Sequence, residues 1–182
     1  MFAPLKQRED GTVVFALPIG SGHIPMIALA DIGFFARYAF DNRAATSGQE
    51  LRVASDMVDS EYLRTTFEEV TGRKAEVIPQ TIDEWMNNFE GVDRPLTTQS
   101  VVGDASVTWR ENFAAWWAVW RDDIVKRDMK WVRRVHPEGY TLEKWMREKR
   151  YTGNLPAGNG TLLKNAEKGK GLRTRWEVVN AL

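Results

Sequence analysis

Residues 12–19 read Thr12-Val13-Val14-Phe15-Ala16-Leu17-Pro18-Ile19. This β-branched and aromatic run, closed by Pro18 and Gly20, predicts a strand. Working outward, Ile24-Pro25-Met26-Ile27-Ala28-Leu29 reads as a short strand entering a helix, with Asp31 as the N-cap. Ile32, Phe35, Ala36 and Ala39 recur at i, i+3, i+4 and i+7, which predicts the core-facing stripe of that helix. Phe34 and Tyr38 widen the apolar surface and suggest cover on a second side. Residues 50–55 alternate like a strand, and Asp56, Asp59 and Glu61 supply acidic capping groups for a helix ending at Gly72. Leu63, Phe67 and Val70 form its apolar face, and residues 74–78 predict another strand. Thr81 and Glu84 form a capping box before a short helix carrying Trp85 and Met86, followed by Phe89. The order β, βα, βα, βα followed by helices predicts an α/β or α+β fold, a small sheet with several helices, in one domain over 1–182.

Residues 90–107 read as an internal loop rich in Gly, Pro, Thr and Ser. Thr108 and Glu111 then open a long Trp-rich helix. Its predicted apolar face carries Phe113, Trp116, Trp117, Trp120, Ile124, Trp131 and Val135. Arg127 projects onto the same face, so the helix breaks there, a cavity lies there, or Arg127 meets an acid. His136-Pro137 ends the segment. Residues 141–150 predict a basic amphipathic helix with Leu142, Trp145 and Met146. Residues 152–182 read as an extended tail, docked at Leu162 and Leu163 and mobile at its end.

Composition narrows the function. The chain has 182 residues, and its 25 basic and 25 acidic side chains leave no net charge, which argues against a nucleic-acid binder. The first half is acidic and the second basic, the pattern of two halves, or two molecules, that pack on each other. Cysteine is absent and only His23 and His136 are present, so no metal site is expected. No apolar run reaches the ~18 residues of a membrane span, and the first residues do not read as a signal peptide. A cytoplasmic protein is the expectation.

Nucleotide motifs are missing. Gly20-Ser21-Gly22 and Gly158-Asn159-Gly160 both lack the third glycine of the dinucleotide fingerprint, and Gly169-Lys170 lacks the rest of a phosphate loop. Tyr140 and Lys144 stand at the Y-x-x-x-K spacing, without a cofactor motif before them.

Several segments, taken in order, resemble the second half of NmrA-like proteins, which are atypical short-chain dehydrogenase/reductases. They are Leu17-Pro18-Ile19-Gly20, Ile24 to Gly33, Gly48 to Ser55, and Val70 to Ala75. The likeness continues through Glu111 to Asp122, Val135-His136-Pro137 and Thr141 to Met146. It is closest to the fungal type. In that family the first half is a Rossmann unit with the glycine fingerprint. This sequence opens at what corresponds to the boundary after it, so no nicotinamide cofactor and no redox chemistry are expected. The surface that unit would cover, on the helix near residues 31–43, predicts a homodimer.

Two functions follow as expectations. The first is a cofactor-independent enzyme of fungal secondary metabolism that isomerises, cyclises or rearranges an apolar intermediate by acid catalysis, for example by opening an epoxide. Asp122 is the candidate acid, Arg121 and His136 its polar partners, and Asp31 and Glu61 alternative acids. Trp116, Trp117 and Trp120, with Phe113 and Arg127, would wall the pocket and stabilise a cation. The second is a non-catalytic regulator that docks a partner protein through the basic 126–150 segment. A closed apolar pocket favours the first and an exposed patch the second.

Overall fold

The computed structural model describes residues 4–96, 106–153 and 172–182. The chain mixes small sheets and helices, as expected for its α/β class. Strand β2 (Val13–Leu17) is buried along its whole length. It pairs antiparallel with β1 (Lys6–Gln7) and parallel with β5 (Ala75–Pro79), in the register Phe15 to Val77. A parallel neighbour demands a long crossover. Here the crossover holds β3 (Ile24–Met26), α1 (Leu29–Asp41), α2 (Arg43–Thr46), β4 (Asp56–Val58) and α3 (Ser60–Thr71). Burial on both faces explains why residues 13–17 are apolar without alternation.

The core gathers on β2. Phe67 of α3 sets its ring edge-on to Phe15 at 5.3 Å. Helices α4 (Ile82–Asn87) and α5 (Trp109–Arg121) add Trp85, Met86 and Trp117 to the same cluster. Strand β1 reaches only Val13 and Val14, and the Trp85 indole N–H donates to the Ala16 carbonyl beyond its end, at 3.2 Å. Both capping boxes form, at Thr81–Glu84 and Thr108–Glu111. Gly72 ends α3 in the left-handed conformation, at φ 68°.

The predicted long helix is two helices. α5 stops at Arg121, and α6 (Met129–Val135) starts afresh with Asp128 as N-cap. Between them Asp123 takes a left-handed φ of 47°, which Asp tolerates better than most residues. Its carboxylate accepts the His23 backbone N–H at 3.1 Å, and His23 Nδ1 lies 3.0 Å away. The turn holding His23 presses on the end of α5 so closely that a Cβ on Gly22 would lie 2.1 Å from the Trp120 carbonyl oxygen. Among the described residues Arg127 forms no ion pair, although Glu50 is close enough to act on its charge: its guanidinium lies over Trp120 at 5.3 Å and Nη1 donates to the Val125 carbonyl. Burial pulls the Arg127 pKa down.

Other expectations shift too. Helix α1 begins at Leu29 with Ala28 as N-cap, so Asp31 is not the cap but a buried residue of the first turn. The buried stripe is rotated by one position. Asp31 and Phe35 face inward while Ile32 is exposed, and Phe34 and Tyr38 turn toward α6. The 50–55 alternation is not a strand; β4 starts at Asp56 and pairs with β3. The end of the chain is docked: β7 (Arg173–Thr174) pairs with β6 (Phe89–Glu90), and Val179 of α8 (Trp176–Val179) is buried. The expected docking pair Leu162 and Leu163 lies outside the described residues.

Candidate functional site

A buried carboxylate sits at the start of α1. The Asp31 side chain is 3% exposed. Three elements deliver donors to it. Ser55, just before β4, donates its hydroxyl to Oδ2 in a short hydrogen bond. The Tyr140 backbone N–H donates to the same oxygen at 3.0 Å. His136, the C-cap of α6, places Nε2 3.0 Å from Oδ1. Phe34 fixes the imidazole plane by stacking on it, with centroids 3.7 Å apart and planes 6° from parallel. The Ser55 Oγ in turn accepts the Ala28 backbone N–H at 2.8 Å. Both hydrogen-bonding functions of that hydroxyl are thus oriented.

A cavity of about 450 Å³ opens beside this line. It lies between the β3–α1 junction, Ser55 and Asp56, and the first turn of α7 (Leu142–Glu148). Met26, Ile27, Leu29, Leu142 and Trp145 give it apolar walls. Ser55, Asp56 and Lys149 supply polar groups. The volume suits a small organic molecule. Asp56 is already satisfied, accepting from the Tyr62 hydroxyl at 2.9 Å and the Leu142 N–H at 2.8 Å. Burial and that hydrogen bond raise the Tyr62 pKa, so the phenol stays protonated as donor. Arg133 clamps the site from α6, donating to the carbonyls of Tyr140 and Ser55.

Of the sequence-derived candidates the structure brings Asp31 and His136 together at this site and places the others away from it. Asp122 is solvent-exposed at the end of α5, and hydrogen bonds from Arg121 at 2.8 and 2.9 Å hold its carboxyl below the usual carboxylate range. Neither Asp122 nor Arg121 lines the cavity, so the candidate site moves from that pair to Asp31. Glu61 is held low in the same manner by Arg64. Phe113, Trp116, Trp117, Trp120 and Arg127 do not line the cavity; these Trp rings meet one another and Trp85 edge-on, within the core and at its edge. The one indole at the cavity belongs to Trp145. Lys144 Nζ lies over the Tyr140 ring, 5.3 Å from its centroid, but the polar groups of the pair bond elsewhere. The Tyr140 hydroxyl donates to Glu148 at 2.6 Å, and Lys144 Nζ donates to the Glu138 carbonyl at 2.7 Å.

Sequence reading missed Ser55, Asp56, Arg133 and Lys149 as site residues. Ser55 read as the end of a 50–55 strand and Asp56 as a capping residue, and the other two belonged to the basic 126–150 segment. Among the described residues no group of three or more His, Asp or Glu side chains is placed to hold a metal ion. No helix among them is long and apolar enough to cross a membrane. No protein-family model matches the chain, and no curated protein is significantly similar to it. The NmrA-like resemblance therefore rests on the residues quoted above.

Proposed function

We propose that this protein is a cofactor-independent isomerase acting on an apolar small molecule in the cavity between α1 and α7. One observation carries the reading: Ser55 lines the cavity and its hydroxyl donates to the buried Asp31. Ser55 Oγ accepts a proton from the bound molecule as its own proton passes to Asp31 Oδ2. The His136 contact steadies the other carboxyl oxygen. Return of the proton to a second position of the same molecule completes an isomerisation without net gain or loss of protons. Asp31 thus acts as a base through Ser55, which replaces acid catalysis by Asp122.

The test is deuterium incorporation in D2O, followed by NMR, into a panel of β,γ-unsaturated ketones. Wild-type protein is expected to catalyse exchange. Ser55→Ala is expected to slow it by about 100-fold or more, the scale of one positioned acid–base group. Equal exchange rates in wild type and Ser55→Ala would remove the relay.

A second reading has its own observation. Ile32 and Phe40 lie on one face of α1 and are 45% and 73% exposed. Such a face suits a partner-binding protein, most simply a homodimer. Light scattering at micromolar concentration is expected to give twice the 20.8 kDa chain mass, and Phe40→Asp to give the monomer. A monomeric wild type refutes this reading.

A further inference from the structure

We infer that the cavity between α1 and α7 takes an apolar monocarboxylate, its acid group at Lys149 and its hydrocarbon body along Ile27 and Leu29. This inference rests on the cavity's being the ligand site proposed above, and it names the class of ligand. The lining holds one acidic and one basic residue, Asp56 and Lys149, and the difference in how they are partnered supports it. Lys149 is the one cationic residue among those lining the cavity. No ion pair occupies its ammonium among the described residues, whereas its neighbour Arg147 is engaged by Glu143 at 2.8 Å. The two carboxylates nearby are already served. Asp31 is met by Ser55, His136 and the Tyr140 N–H. Asp56 is met by Tyr62 and the Leu142 N–H, with Arg133 at 3.8 Å. Neither carboxylate needs a ligand cation, whereas among the described residues no carboxylate forms an ion pair with the Lys149 ammonium.

The apolar side of the site points the same way. Leu29 lines the cavity and is 85% exposed, and Ile27, also in the lining, is 37% exposed. An apolar side chain left open at a cavity mouth gains most from a hydrophobic occupant. An anion at Lys149 with a hydrocarbon chain over Ile27 and Leu29 satisfies both features. A neutral apolar molecule satisfies only one, and a cationic one would face Lys149.

The test compares decanoate, decanol and decylamine, bound to the full chain and read by tryptophan fluorescence and calorimetry. These ligands need not react, so the result is independent of the relay. Decanoate is expected to bind about tenfold more tightly than decanol, the gain of one charged contact. Lys149→Met is expected to bring the two within a factor of about two, since only the ionic contact is removed. Equal binding of decanoate and decanol overturns the inference, as do tighter binding of decylamine and failure of all three to bind. Carboxylate selectivity combined with no Ser55-dependent exchange would instead retain the ligand class and remove the isomerase.

Discussion

Asp31→Ala is expected to destabilise the fold by about 3–5 kcal/mol, the cost of breaking a buried polar network from one side. The Asp31 carboxylate is nearly inaccessible and joins three separate parts of the chain, at Ser55, His136 and Tyr140. Alanine leaves the His136 ring and the Tyr140 N–H without their acceptor in a space closed by Phe34. The Ser55 hydroxyl can rotate, so most of the loss falls on the other two. Asp31→Asn keeps the shape and one carbonyl acceptor, and is expected to lose about half as much. Urea denaturation of the three proteins gives the comparison. A loss below about 1 kcal/mol for the alanine variant would mean that water replaces the carboxylate at little cost. If the relay proposal holds, Asp31→Asn is also expected to lose exchange activity while remaining folded.

Phe67→Ala is expected to cost about 3–5 kcal/mol, as large-to-small changes at full burial do. Phe67 is 0% exposed and joins the central strand to the later helices. Its ring meets Phe15 at 5.3 Å and Tyr151 at 6.0 Å. Gly153, at φ 68°, passes so close that a Cβ there would lie 2.6 Å from the ring. That contact leaves the backbone fitted to a flat aromatic surface. Phe67→Leu restores volume without the edge-on contacts and is expected to lose under about 2 kcal/mol. Denaturant midpoints with unchanged m-values would locate the effect in the native core. A small loss for Phe67→Ala would show that neighbouring chains collapse into the space. Because Tyr151 packs on the same ring, its pKa, pushed up to about 12 by burial, is expected to fall when the ring is removed.

The local signals were strong where chemistry is local. The capping boxes at Thr81 and Thr108 and the stop at Gly72 depend on residues within four positions of one another. The strand at residues 13–17 was legible because a β-branched, aromatic run between turn residues has few other uses. The shorter strands β1, β4, β6 and β7 were not, since two or three residues carry no periodicity. The break after Arg121 was one of three outcomes that Arg127 left open. It is decided by Asp123 capturing His23, a contact spanning 100 residues. Helix α1 was read one position out of phase because a charged residue was assigned to a cap. A buried Asp is stable only with donors, and those donors come from Ser55, His136 and Tyr140, far away in sequence.

The site divides along the same line. Asp31 and His136 stood out as titratable groups in a chain with two histidines. Asp122 and the Trp cluster stood out for the same kind of reason, and packing sends them elsewhere. Composition and spacing establish the α/β class, the helix termini marked by the capping boxes and Gly72, the central strand and the aromatic wealth of the core, because these follow from short-range sterics and hydrophobic period. Packing alone selects which aromatic rings become core, which acid is buried, and where the cavity opens. Those outcomes depend on which distant donors and rings arrive at one point, and no spacing along the chain records that arrival.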